Sequence, residues 1–192
     1  MRLPGSSTLF PLLVLAMLAA FTFWLDHANR GDDGGGNAKL RHDVDFWVDE
    51  FNLRRYNLDG SIQHTLKATR MEHFPDDDTT EVAEPRVAYF RYKQATTMTS
   101  RSAWLDKEAK HVQLREDVRV IRTEADGKAM LIDTSVLDVT PDDEYAHTEA
   151  PVTITQGKSV IHGGGGLEVS NKTRTAVLRG PVTATIYPEH SR

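Results

Sequence analysis

The sequence predicts an all-β domain of antiparallel strands, built from repeats and preceded by one N-terminal transmembrane helix. Two observations lead to this prediction: the distribution of charge along the chain and the abundance of β-forming residues after residue 60. Lys and Arg number 23 and Asp and Glu 28, yet only Arg2 precedes Asp26. The chain therefore consists of an uncharged N-terminal segment and a charge-rich remainder, which is long enough for one domain with its own core.

The composition excludes several classes of protein. The chain has no cysteine, which excludes a disulfide scaffold, a zinc-thiolate protein and a lipoprotein whose lipid is attached to cysteine. Its formal net charge of −5 argues against a nucleic-acid partner, because non-specific nucleic-acid binding needs a basic surface. A polytopic membrane protein is excluded because the chain has a single long apolar run.

Residues 1–25 are predicted to form a short cytoplasmic tip and a membrane anchor. In residues 9–25, 15 of 17 positions are hydrophobic, which corresponds to roughly 25 Å of helix. With the uncharged residues 6–8, the segment reaches the roughly 20 residues that a bilayer span requires. The alternative is a cleaved signal peptide, but the segment is longer than a typical signal core and its candidate cleavage sites lack the small residues that cleavage favours.

Charge then sets the orientation and the domain bounds. Arg2 precedes the span, while Asp26, Asp32 and Asp33 follow it, so the positive-inside tendency leaves the N-terminus in the cytoplasm and exports the rest. Residues 26–45 are predicted to be a Gly- and Asp-rich linker, and residues 46–192 the exported β domain. The aromatic stretch at residues 45–51 fits either a strand or a helical turn.

The β domain carries an internal repeat of about 30 residues. Val, Thr and Ile make up 37 of residues 26–192, and alternating apolar positions are common there. Residues 149–154 match residues 179–184 at an offset of 30, residues 114–118 match 178–182 at 64, and residues 74–77 match 140–143 at 66. A strand–turn–strand unit of this size cannot bury its apolar face alone, so the copies must stack into a wound solenoid, jelly roll or sandwich.

Two motifs resemble binding sites but are better explained as turns. The acidic run at residues 76–81 could supply oxygen ligands to Ca²⁺, but it follows a proline between two strands and lacks the spacing of a calcium loop. Residues 162–166 (HGGGG) resemble a phosphate loop without its Lys-Ser/Thr pair, which favours a bulge, a turn or a close approach of another backbone. The eight histidines are scattered without metal-ligand spacing, so no metal and no cofactor are expected.

Four segments together resemble the LptC family of periplasmic lipopolysaccharide-export proteins. Residues 66–81 (LKATRMEHFPDDDTTE) and residues 84–87 (EPRV) are similar to sequences of that family. Residues 114–120 and 178–182 resemble the strand repeat of the LptA/LptC superfamily. The run of four glycines is a departure from the family's pattern.

The resemblance implies a twisted β-jelly roll, open at both ends, on the periplasmic side of the inner membrane. Its N-terminal edge would dock on the ABC transporter LptB–LptF–LptG, and its C-terminal edge would pair with the bridge protein LptA. Lipopolysaccharide would pass between them with its acyl chains inside the roll. No catalytic residues are implied.

The apolar positions that repeat in phase along the strands are our candidates for the lipid groove, and their alternative role is to fill a dry core. These positions are Met71, Val87, Leu114, Val118, Leu137, Val139, Val152, Ile154, Leu167, Val169, Leu178 and Val182. Residues 176–187 are predicted to form the edge strand that binds the partner protein. Its candidate residues are Ala176, Ala184, Ile186 and Tyr187.

Two other functions remain open on the sequence alone. The first is a membrane-tethered β scaffold that binds a protein or a polysaccharide and has no lipid path. The second, which the residues favour least, is a surface hydrolase, since no paired carboxylates or nucleophile motif are visible.

Overall fold

The structure is a computed structural model of the 192-residue chain, and it describes residues 6–29, 42–91, 94–123 and 127–187. The chain divides into two compact units, residues 1–41 and residues 42–192. The predicted cytoplasmic tip at residues 1–5 and most of the predicted linker, residues 30–41, lie outside the described residues.

The first unit contains one helix, α1 (Ser6–Asn29). It begins where the apolar segment begins, but it continues through residues 26–29, which the sequence assigned to the linker. Within the described part of the chain, no helix is long and apolar enough to cross a bilayer. The structure therefore does not confirm the transmembrane span predicted for residues 6–25.

The second unit is all-β, and every strand pair in it is antiparallel, as the sequence predicts. The described residues form one continuous sheet of fourteen strands. The strands are β1 (Phe46–Tyr56), β2 (Ile62–Phe74), β3 (Thr79–Ala83), β4 (Arg86–Arg91), β5 (Gln94–Thr99), β6 (Ser102–Leu105), β7 (Val112–Thr123), β8 (Ala129–Thr140), β9 (Tyr145–Thr148), β10 (Val152–Gln156), β11 (Ser159–Gly163), β12 (Leu167–Ser170), β13 (Thr175–Leu178) and β14 (Val182–Thr185). The aromatic stretch at residues 45–51 thus belongs to a strand, β1, and not to a helical turn.

Three long strands, β2, β7 and β8, belong to two layers, because each changes partner along its length. In β2, residues 64–67 pair with β4 and residues 70–74 pair with β3. β7 pairs first with β6 and then with β5, and β8 pairs first with β10 and then with β9. Layer A therefore contains β4, β5, β10, β11 and β14, layer B contains β3, β6, β9, β12 and β13, and the long strands run through both.

The chain passes between the layers at a series of corners that lie side by side, which we call the corner line (residues 84–85, 100–101, 116–117, 134–135, 149–151, 164–166 and 179–181). Backbone bonds join neighbouring corners: the Glu84 N–H donates to the Arg101 carbonyl at 2.7 Å, and the Arg101 N–H donates to the Glu116 carbonyl at 2.9 Å. Two of the repeat matches, residues 149–154 with 179–184 and residues 114–118 with 178–182, fall on corners of this line, whereas the match of residues 74–77 with 140–143 falls on turns outside it.

The four-glycine run is a corner that other backbones approach closely, as one of the sequence interpretations held. Gly166 has φ +102°, and a Cβ there would lie 2.0 Å from the carbonyl oxygen of Thr148. A Cβ on Gly165 would lie 2.8 Å from Gly180. Glycine is therefore required at this corner for lack of space as well as for its backbone conformation.

The hydrophobic core lies beside the corner line. It joins the inner faces of both layers, since Val118 and Val120 of layer A cluster with Leu114 and Leu137 of layer B. The buried hydrophobic residues are Ala68, Phe74, Val82, Ala103, Leu114, Val118, Val120, Leu137, Val152 and Leu167. The core is thus narrow and follows the fold between the layers.

Candidate functional site

All twelve candidate groove residues lie on the inner face of the two layers. Residues directly opposite each other in an antiparallel pair project to the same side. In layer B such a row runs from Met71 through Val82, Ala103 and Leu114 to Leu137. A second row on the same face lies two residues further along β8. In it, Val139 lies opposite Ala146, which in turn lies opposite Val169.

In layer A the corresponding row runs from Val87 through Met98 to Val120. The C-terminal strands bring the two faces together, because a Cβ on Gly163 would touch Leu178 of layer B at 2.8 Å and Val152 of layer A at 3.2 Å. Strand pairing places other candidates on the same face. Ile154 lies opposite Ile132, and Leu167 lies opposite Leu178. Val152 and Val182 both lie opposite Gly163, on its two sides.

Burial divides these twelve residues into two groups. Five are buried beside the corner line, with 1–5% of their surface exposed: Leu114, Val118, Leu137, Val152 and Leu167. Six are half-buried, and Val182 is 47% exposed on the last strand. In β10 burial decreases away from the corner, since Val152 is buried, Ile154 half-buried and Gln156 exposed. The inner face therefore combines a dry core at the corners with an apolar wall that opens away from them.

Five further apolar residues belong to this wall and were missed in the sequence: Leu53, Leu66, Met98, Ile132 and Ile161. Leu53 lies opposite Leu66, which lies opposite Val87, and Ile132 lies opposite Val120. Leu53 is 49% exposed. Strand alternation is the signal that could have found them, but it requires knowing which face of each strand is inner.

The sheet has open edges at both ends of its winding. Among the described residues, β1 pairs only with β2, β13 only with β12, and β14 only with β11. β1 is exposed along nearly all of its 11 residues, including Trp47 at 58%. Ala176 on β13 and Ala184 on β14 are likewise exposed. An unpaired edge presents backbone donors and acceptors that another strand can extend.

Corner hydrogen bonds show which backbone groups face the C-terminal edge. The Gly164 N–H donates to the Pro181 carbonyl at 2.9 Å, and the Arg179 N–H donates to the Gly166 carbonyl at 3.0 Å. In an antiparallel ladder, bonded and non-bonded pairs alternate. The backbone N–H groups of Ala176 and Ala184 therefore face away from β12 and β11, toward the open edge.

The prediction of a single strand over residues 176–187 is wrong. Gly180 has φ +75° and forms a corner, so β13 and β14 belong to different layers. Ile186 and Tyr187 lie beyond the end of β14, where the Tyr187 N–H donates to the Ser159 Oγ at 3.0 Å. The two alanines thus belong to edge strands, whereas Ile186 and Tyr187 do not.

A charged cluster joins the start of the β unit to the turn between β2 and β3. The His73 Nδ1 lies 2.8 Å from Asp45, and its Nε2 lies 3.2 Å from Asp78. The hydrogen bond to Asp45, followed by the one to Asp78, raises the pKa of His73 above 6.5. The hydrogen bond to Asp76 likewise raises the pKa of His42.

The acidic run is confirmed as a turn, in which the Thr79 Oγ1 donates to the Asp77 carboxylate at 2.6 Å. His42, Asp76 and Asp77 bring potential ligand atoms within 4.8 Å of one another. The sequence did not predict this grouping, because His42 is distant along the chain. The ring of His42 also stacks on Phe74 at 3.9 Å, so the cluster is explained as a contact that holds residue 42 on the turn.

A family model described as lipopolysaccharide-assembly, LptC-related, matches residues 12–187. The chain belongs to the LptC family. The resemblance stated from residues 66–81 and the strand repeat is therefore confirmed, and with it a role in lipopolysaccharide assembly. LptC is a family of transport components and not a known enzyme family. A search among curated proteins returned no match to the chain.

Proposed function

We propose that this protein receives lipopolysaccharide from the inner-membrane ABC transporter LptB–LptF–LptG and passes it to LptA along the inner face of its β domain, as a jelly-roll conduit without an enzymatic step. The observation that carries this proposal is the single apolar wall that runs through both layers, half-buried on its open side. Leu66, Ile132 and Ile154 are half-buried there.

The energetics of acyl chains make such a wall useful. Exposing an acyl chain to water costs about 0.8 kcal/mol per methylene, or on the order of 10 kcal/mol for a chain of a dozen. A continuous apolar surface lowers that barrier without any covalent chemistry. The residues buried at the corner line would stabilise the fold, and the half-buried residues would contact lipid.

Photocrosslinking at matched positions tests the groove. A crosslinking residue is placed at Ile132, which faces inward opposite Ile154, and at its neighbour Leu131, which lies opposite Thr155 on the outward face. In the assembled, ATP-driven transport complex, we expect Ile132 and Ile154 to capture lipopolysaccharide and Leu131 to capture none. A crosslinking residue at Leu114, which is 2% exposed, should also capture no lipopolysaccharide.

Either of two results would contradict the proposed lipid groove. One is a failure of both Ile132 and Ile154 to capture lipid in an active complex. The other is equal capture at Leu131, which would mean that the lipid does not distinguish the two faces. Both results would favour the alternative function, a tethered scaffold without a lipid path.

The open edges support the partner assignments within this proposal. β1 would extend a sheet of the transporter, and β13 and β14 would extend the sheet of LptA, because free backbone N–H and C=O groups bind a further strand. The inner-membrane location rests on the apolar residues 9–25 of the sequence, and the periplasmic position of the β unit rests on the charge asymmetry around them.

A proline on β14 tests the LptA edge. Ala184→Pro removes an N–H that faces the open edge and leaves the donors that face β11 in place. We expect the association with LptA to weaken by about tenfold or more, while Ala184→Val, which keeps the donor, associates normally. Unchanged association of Ala184→Pro, measured by pull-down of the full-length protein, would show that this edge does not bind LptA.

A further inference from the structure

The outward side of layer B carries a polar cavity that the apolar inner face does not explain, and we call it the outer basin. It has a volume of about 360 Å³. It is lined by Thr140, by two residues of the inner rows, Val112 and Val139, and by six residues with aromatic, polar or charged side chains: Trp104, His111, Gln113, Arg115, Asp138 and His147. The outward face of an exposed sheet normally carries scattered polar residues, so an aromatic side chain and five polar ones around one cavity point to a ligand.

Register brings the central residues of the outer basin together. Trp104 lies opposite Gln113, which lies opposite Asp138, which lies opposite His147. Each is one residue away from the inward row through Ala103, Leu114 and Leu137, so the four project to the opposite side. These four side chains and those of the proposed groove are therefore on opposite faces of the same strands.

A short chain of hydrogen bonds fixes the polar groups. The Arg115 Nε donates to the Gln113 Oε1 at 2.6 Å, and the Gln113 Nε2 donates to the Asp138 Oδ1 at 2.8 Å. Within the described part of the chain, these bonds leave the terminal amino groups of Arg115 and the second oxygen of Asp138 available. The amide of Gln113 is thereby held in one orientation between a donor and an acceptor.

His147 adds a polar atom that lacks a partner. Its ring stacks on Tyr145 with centroids 5.5 Å apart. Among the described residues, its Nδ1 is the buried side-chain nitrogen or oxygen without a hydrogen-bond partner. Because this nitrogen is closed to solvent, it is not available to a ligand, and His147 contributes only the rest of its ring to the wall of the outer basin.

We propose that the outer basin binds a saccharide unit. An indole offers a flat apolar surface to the C–H face of a pyranose ring, and planar guanidinium, amide, carboxylate and imidazole groups bind neighbouring hydroxyls in pairs. One guanidinium offsets one carboxylate, so the charge of the outer basin suits a neutral polyhydroxylated ligand better than a phosphate. The side chains that would bind the saccharide project away from the acyl-chain groove, although Val139 borders both.

Tryptophan fluorescence of the full-length protein in nanodiscs tests the proposal. The chain has three tryptophans, so Trp24→Phe together with Trp47→Phe leaves Trp104 as the only emitter. Two probes distinguish the source of the saccharide: the lipid-free core oligosaccharide of lipopolysaccharide and maltoheptaose, a neutral glucan. If only the core oligosaccharide produces a saturable change in Trp104 fluorescence, the site is assigned to lipopolysaccharide. If both probes produce it, the site is assigned to neutral saccharides in general.

Two aspartates on β8 provide a matched pair of variants. Asp138→Asn removes the acceptor in the outer basin, whereas Asp133→Asn removes one that accepts from Arg119 at 2.6 Å in layer A. We expect Asp138→Asn to weaken saccharide binding by about tenfold and Asp133→Asn to leave it unchanged. Saccharide binding is overturned if neither probe alters the fluorescence up to roughly 10 mM, or if both variants lose binding equally. Lipid capture at Ile132 should persist in Asp138→Asn, which separates the two proposals.

Discussion

The corner line and the open side of the β unit are made from the same strands but differ in packing. At the corners, Leu114 and Val118 are 2% and 1% exposed, and backbones approach so closely that glycine is required. On the open side, Leu53 is 49% exposed. One apolar face therefore serves two purposes: close packing stabilises the fold at the corners, and loose packing leaves a surface for a ligand elsewhere.

The largest effect is expected from a side chain added at the corner line. Gly166→Ala places a Cβ 2.0 Å from the Thr148 carbonyl oxygen at a residue with φ +102°. Because the neighbour is backbone, relief requires the corner to shift, and we expect a loss of at least about 3 kcal/mol in the free energy of unfolding. Equilibrium urea unfolding of the full-length protein measures it.

Gly60→Ala is the matched control for that variant. Gly60 has φ +83° but no heavy atom within 4 Å of an added Cβ, so only the backbone conformation is penalised, at about 1–2 kcal/mol. Equal losses in the two variants would mean that the corner line is not the tightly packed part of the molecule.

A smaller difference is expected from truncating leucines in the two regions. Leu114→Ala leaves a cavity in the dry core and should cost about 2–5 kcal/mol. Leu53→Ala removes a side chain that is 49% exposed and should cost about 1 kcal/mol. Urea unfolding of both variants gives the two losses in the free energy of unfolding. A larger loss for Leu53→Ala than for Leu114→Ala would reverse the assignment of core and wall.

The smallest effect concerns the charged cluster at the end of β2. Because the pKa of His73 is raised in the folded state above 6.5, its contribution is fully present below the unfolded value and is lost as pH rises through the folded value. The urea midpoint of His73→Gln should therefore fall further below wild type at about pH 5.5 than at about pH 8.5.

His162→Gln controls for the loss of an imidazole. The His162 Nδ1 lies 3.1 Å from the Thr153 hydroxyl instead of a carboxylate, so this variant removes an imidazole without breaking an ion pair. A deficit of His73→Gln that is constant with pH would show that its ring contributes through packing against Phe46, at 4.8 Å, and not through charge.

The fold was predictable where its signals are local. The glycines of residues 162–166 were assigned to a turn or a close backbone approach because glycine releases the backbone at single positions, and they form a corner. The error at residues 176–187 has the same origin, since apolar alternation continues on both sides of Gly180 and conceals the change of layer. The end of α1 was missed because Asp26 and His27 end the apolar run but not the helix.

The site was predictable only in part, because a strand that turns a corner can change which of its faces is inner. Leu66 and Met71 are five residues apart, as are Ile132 and Leu137, so simple alternation assigns the members of each pair to opposite faces. Register nevertheless gives all four inward positions. The sequence thus identified one member of each pair and missed the other.

The sequence by itself determined the division into an uncharged N-terminal segment and a charged β unit, the antiparallel strands and the family. These properties depend on residues close together in the chain. The tertiary structure alone decided which apolar residues are dry and which line the open wall, which N–H groups face the edges, and that Trp104, Gln113, Asp138 and His147 share one cavity. Those properties depend on the register between distant strands, which no local pattern specifies.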